Sequence, residues 1–70
     1  MNEMDVLVIL GLAEHDMNLS KAAKLLFVHR NTMVYHINRV KRITGLNPMK
    51  FYDLCKLVKM AKEMGTEDNL

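Results

Sequence analysis

Phe27-Val28-His29-Arg30-Asn31-Thr32-Met33-Val34-Tyr35-His36-Ile37-Asn38-Arg39-Val40-Lys41-Arg42-Ile43-Thr44-Gly45 is the stretch on which the reading of this chain turns. Met33, Ile37, Val40 and Thr44 recur at helical spacing, which predicts a helix from about Arg30 to Thr44 with one apolar stripe. Opposite that stripe lie Asn31, Tyr35, Asn38 and Arg42, flanked by Thr32, Val34 and Arg39. Gly45 stands where a helix commonly ends in a left-handed residue. Phe27-Val28-His29 is too short for anything but a tight turn.

Upstream of that turn, Asn18 has the side chain of an N-cap, and a short helix over Leu19–Leu26 should follow. Leu19, Ala22, Ala23 and Leu26 face inward, and the paired alanines let another helix cross closely. Two helices joined by a tight turn, the second polar and basic outside, are the ingredients of a helix-turn-helix. Val6–Leu10 has the composition of a strand, but Leu12-Ala13-Glu14 continues it without a turn signal. The spacing therefore predicts a first helix over about residues 3–15. Val6, Ile9, Leu10, Ala13 and Met17 form one apolar stripe and Met4, Val8, Leu12 and His15 a second, so this helix needs two things to bury against. Downstream, Asn47-Pro48 reads as the N-cap and first residue of a fourth helix reaching about Met64. Phe51, Leu54, Cys55, Val58 and Ala61 are its expected inward residues. The expected fold class is all-α, a small four-helix domain containing a helix-turn-helix over residues 1–64, with a frayed tail at 65–70.

The formal net charge of +2 conceals a segregation. Residues 1–16 hold four acids and no Lys or Arg, whereas residues 17–52 hold seven Lys and Arg and no acid. An acid-free basic block fits a polyanionic partner, or else a plain solvated surface. Catalytic readings find no support. His29 and His36 have no carboxylate near them in sequence to complete a metal set. No glycine-rich phosphate loop is present. The single cysteine, Cys55, permits no internal disulfide and is expected as a buried, inert thiol. The seven methionines read as core or interface filler rather than a metal site. No cofactor is expected. An RNA partner would call for an aromatic stacking platform that the chain lacks. Val6–Leu10 is too short to span a bilayer and follows acids rather than a basic segment, so a cytoplasmic setting is expected.

Leu26-Phe27-Val28-His29-Arg30-Asn31-Thr32-Met33-Val34-Tyr35-His36-Ile37 also carries a family resemblance. With Asn18-Leu19-Ser20 and Ala22-Ala23 before it, and Thr44-Gly45-Leu46 and Phe51-Tyr52-Asp53-Leu54 after it, it resembles the C-terminal DNA-binding domain of PucR-type bacterial regulators. That group includes sugar-diacid regulators. A more distant resemblance is to the Fis-type helix-turn-helix. The resemblance implies sequence-specific binding of double-stranded DNA, with the helix at about 30–44 in the major groove. It departs at two positions: the arginines usual on either side of Tyr35 are here Val34 and His36. Their loss favours the competing reading, a helical protein-interaction module of the same fold that binds no DNA. The generic turn glycine is here Phe27, as it is in the family that the chain resembles, and Phe27 is expected as a core plug rather than a positive-φ residue.

On the DNA reading the candidate contacts are Ser20, Lys21, His29, Arg30, Asn31, Thr32, Val34, Tyr35, Asn38, Arg39 and Arg42. Arg30 and Asn31, in the first turn, are placed to reach base edges, while Asn31 and Thr32 have local capping as their alternative. Ser20, Lys21, Arg39 and Arg42 suit phosphates. Tyr35 suits a phosphate bond or stacking, and His36 reads as structural. Met4, Val8 and Leu12 on the first helix and Leu57, Met60 and Met64 on the fourth are not needed for one core. They predict a homodimer through the first or fourth helix, or docking against a sensory domain.

Overall fold

The computed structural model describes residues 1–65. Its four helices are α1 (Glu3–Glu14), α2 (Leu19–Leu25), α3 (Arg30–Thr44) and α4 (Phe51–Gly65). Among the described residues there is no strand. Gly65 is still helical, and the rest of the tail expected at 65–70 lies outside the described residues.

α1 begins in a capping box. The Asn2 side chain accepts from the Asp5 N–H at 2.8 Å, and the Asp5 carboxylate accepts from the Asn2 N–H at 2.9 Å. Both bonds satisfy donors that a helix start leaves without partners. α2, α3 and α4 all pack on α1, and α2 and α3 pack on each other. α1 buries Asp5, Val8, Ile9, Gly11 and Leu12. Both stripes contribute to the core, Ile9 from the first and Val8 and Leu12 from the second. Val8 and Leu12 are fully buried, Val6 and Leu10 only partly, and Ala13 is exposed. The reason is that α1 is surrounded on several sides, so the side nearest the other helices' small and branched residues becomes the centre of the core.

Asn18 caps α2 as expected, its side chain accepting from the Lys21 N–H at 2.9 Å. A helix of seven residues is too short to persist alone. It is held by Ala22 and Ala23, both buried against the core. Gly11 of α1 lies against Ala22 and Leu26. A Cβ there would lie 3.1 Å from Leu26 Cδ1.

α3 buries Met33, His36, Ile37 and Val40. Gly45 closes it at φ 76°, donating to the Lys41 carbonyl, in the left-handed conformation that glycine adopts without strain. The Thr44 hydroxyl donates to the Val40 carbonyl and accepts from the Leu46 N–H, which turns the chain away from α3.

α4 starts later than the sequence predicts. Asn47 and Pro48 open a turn, not the helix: the Asn47 side chain accepts from Met49 N–H, and its carbonyl accepts from Lys50 N–H. The Asp53 carboxylate reaches back to accept from the Asn47 N–H at 3.0 Å. The inward face of α4 is centred between Leu54 and Leu57, about 40° from the face expected. Leu54, Leu57 and Ala61 are buried, while Phe51 and Cys55 are exposed. Cys55 is therefore not the buried thiol expected. It lines an open groove of about 480 Å³ with Ala13, Asp16, Met17, Phe51, Leu54 and Val58.

These positions undo the basis for a spare apolar stripe. Val8, Leu12 and Leu57 belong to the single core, each contributing about 1.5–3 kcal/mol by burial. Of the six residues proposed for pairing, only Met60 and Met64 are counted among the exposed large hydrophobics.

Candidate nucleic-acid interface

The outer side of α3 carries the predicted strip. Arg30, Asn31, Tyr35, Asn38 and Arg42 are exposed, and Thr32 and Val34 are half-buried at its edges. At 100° per residue, Asn31, Tyr35, Asn38 and Arg42 fall on one line down the helix. His29 is the N-cap residue and is exposed, but its side chain makes no capping bond. The first turn of α3 thus keeps donors for an outside acceptor, at the positive end of the helix dipole. Ser20 and Lys21 are exposed in the first turn of α2. Among the described residues, Arg30, Asn31, Asn38 and Arg42 have no side-chain partner, so local capping by Asn31 does not consume it.

Arg39 departs from the expectation. Its Nε donates to Asp5 Oδ2 at 3.0 Å, and its side chain is one-third exposed. The reason is angular: Arg39 sits to the side of the outer strip, toward the start of α1. His36, from the next position around, donates from Nδ1 to Asp5 Oδ1 at 2.7 Å. The departure from the family pattern at His36 therefore falls on a side chain that faces α1. His36 is structural, as its place beside the core stripe predicts. Its ring also meets Tyr35 edge-on, with centroids 5.0 Å apart.

Asp5 itself has no exposed surface, and its carboxylate collects three donors: the Asn2 N–H, His36 and Arg39. Burial works against its charge. The hydrogen bonds from His36, the Asn2 backbone and Arg39, with the positive charge of Arg39, outweigh that and hold the carboxyl below its ordinary 3.8. Sequence reasoning missed this residue by counting it only as an acid of the first segment. The available signal was its spacing, since Asp5 lies on the same helical side as Val8, Ile9 and Leu12.

Phe27 is the second miss. It is neither a core plug nor a residue with negative φ: φ is 58° and the side chain is 94% exposed. Its backbone occupies the left-handed place that the generic turn gives to glycine, at a cost of about 1–2 kcal/mol for an L-residue. The left-handed backbone turns the Phe27 side chain outward, and Leu26 and Val28 pack against the core instead.

Two helices meeting through a tight turn, the second with an open basic strip, define a helix-turn-helix domain. The family model for the PucR C-terminal helix-turn-helix domain matches residues 9–64, and the chain belongs to that family. It is similar to the carbohydrate diacid regulator of Escherichia coli (strain K12), at 41% identity over 39 residues. That match covers 56% of this chain and 10% of the relative, so the chain spans a small part of the regulator's length. No solved structure matches.

The Asp5 cluster generates a prediction about pH. A carboxyl held below its ordinary value contributes stability above that value and loses it as pH falls through the folded one. Unfolding free energy should therefore decline as pH drops below about 4, and Asp5→Asn should flatten the decline in urea titrations. At neutral pH Asp5→Ala should cost about 3 kcal/mol, because His36 and Arg39 lose their shared acceptor. Equal stability of parent and Asp5→Ala would remove the cluster from the account of the fold.

Proposed function

We propose that this domain binds double-stranded DNA sequence-specifically within a transcriptional regulator, with α3 in the major groove. The observation that carries the reading is the outer strip of α3. It lies in a segment with seven cations and no acid, and among the described residues only Arg39 of these cations is ion-paired. A major groove about 12 Å wide accepts one helix, and side chains near its N-terminus reach base edges. Arg30 and Asn31 take that role here. Ser20, Lys21, His29, Thr32 and Arg42 bind phosphates, with Tyr35, Asn38 and Val34 along the groove wall. Arg39 acts from the other side, by fixing α3 to α1 through Asp5. No catalytic role and no cofactor are proposed, and a DNA partner implies a cytoplasmic setting. The competing protein-interaction reading rests on Val34 and His36, and of these His36 is engaged inside the fold with Asp5.

One α3 reads few base pairs, so we also propose that two copies pair across two half-sites about 34 Å apart. Met60 and Met64, exposed on α4 away from the basic strip, are the surface left for it. Met60→Lys should reduce the sedimenting mass of the free chain at micromolar concentration without unfolding it. A parent chain that is monomeric both free and on a two-site duplex contradicts the pairing.

The DNA reading is tested by affinity against salt. With about four phosphates neutralised, log K should fall against log salt with a slope near −3.6. Arg42→Ala should weaken all duplexes alike and make the slope shallower by about 1. Arg30→Ala or Asn31→Ala should cost about 1–3 kcal/mol on a preferred site and relax one base position. A flat salt response rules out the proposal.

A further inference from the structure

Phe27 is the residue that the fold explains least by itself. Asp16 and Met17 also have positive φ, but they form the turn between α1 and α2, and Met17 packs on the core. Phe27 combines a left-handed backbone with a large apolar side chain that is 94% exposed. The other exposed aromatic side chains have ring neighbours: Tyr35 meets His36, and Phe51 meets Tyr52. Phe27 has none among the described residues. Glycine would fill the same turn without strain, and a polar residue would suit the exposure. The ring is therefore useful only to something outside the chain.

Its surroundings identify the class of partner. Phe27 N–H donates to the Lys24 carbonyl, so the ring departs from the end of α2 beside an exposed lysine. Exposed His29 and Arg30 follow directly, at the start of α3. The ring thus sits in the middle of the acid-free segment 17–52, at the end of α3 where base-reading side chains are placed. An apolar protein groove approaching this point would meet unpaired cations. A DNA duplex offers both the anions they need and apolar surface beside them.

Resting on the DNA reading above, we infer that Phe27 is a further DNA contact, which lays its ring on apolar surface of the duplex next to the bases read by α3. That surface is either the deoxyribose face of the backbone or a thymine methyl group, which chemically look alike to a phenyl ring. The contact adds affinity without neutralising a phosphate.

The test compares the parent chain with Phe27→Gly and Phe27→Leu on a 20-base-pair duplex selected from a random pool by the parent. Glycine suits the positive φ, so Phe27→Gly should unfold at the same temperature or higher. Its affinity should nevertheless fall about tenfold, as expected for losing a buried phenyl group, with an unchanged salt slope. Phe27→Leu keeps an apolar group and should lie between the two. Replacing thymine by uracil in the duplex separates the sources. Weaker binding by the parent but not by Phe27→Gly assigns the methyl group, and equal binding assigns the sugar face. Phe27→Gly binding as tightly as the parent overturns the inference and leaves the DNA reading standing. A parent that selects no duplex overturns both.

Discussion

A single carboxylate with no exposed surface, Asp5, governs how the rest of this domain is arranged. It closes the start of α1 through Asn2 and binds two side chains of α3, His36 and Arg39. A buried charge is tolerable only where donors surround it. The three donors come from two helices distant in sequence, so the charge is satisfied in one packing of α3 on α1 and stranded in others. Apolar packing of Val8, Ile9, Leu12, Met33 and Val40 supplies most of the attraction between these helices. It tolerates small rotations, whereas a carboxylate shared between His36 and Arg39 does not. The rotation of α3 about its axis decides which residues face outward. Asp5 thereby fixes the strip Asn31, Tyr35, Asn38 and Arg42 from the opposite side.

That arrangement explains why one helix serves two surfaces without conflict. Its basic residues divide by angle: Arg39 turns inward to an acid, while Arg30, Lys41 and Arg42 stay exposed. The acids lie before and after the basic segment in sequence, and among the residues described only Asp5 is ion-paired with one of its cations. The positive field outside α3 is left uncancelled. Tyr35 links the two surfaces, since its ring is exposed while its edge rests against buried His36.

Much of this was legible in the sequence because local signals agreed with one another. Asn18, Gly45 and the Met33–Ile37–Val40 stripe marked the boundaries and the inward side of α2 and α3. Their agreement located the helix-turn-helix, and the family resemblance fell on the same residues. The failures have a common physical origin, in that they concern what a residue meets across the fold. Asp5 on an inward stripe looks like a surface acid until donors from α3 arrive. Phe27 looks like core until its backbone conformation turns the side chain outward. Val8 and Leu12 look surplus if α1 is imagined as an outer helix, and become central once three helices pack around it. Asn47-Pro48 has the chemistry of a helix start, but its side-chain and backbone bonds close a turn first. Phe51 and Cys55 lie to one side of the face that Leu54, Leu57 and Ala61 turn to α1, a choice set by packing across the fold.

The central claim is that the outer strip of α3, with the start of α2 and the turn between them, is the surface that meets DNA. It is tested most directly by amide chemical shifts of the labelled chain during titration with a short duplex. The account predicts the largest changes at Ser20, Lys21, Phe27, Arg30, Asn31, Tyr35, Asn38 and Arg42, with α4 and the groove at Cys55 little affected. Changes concentrated on α4, with α3 silent, would contradict it.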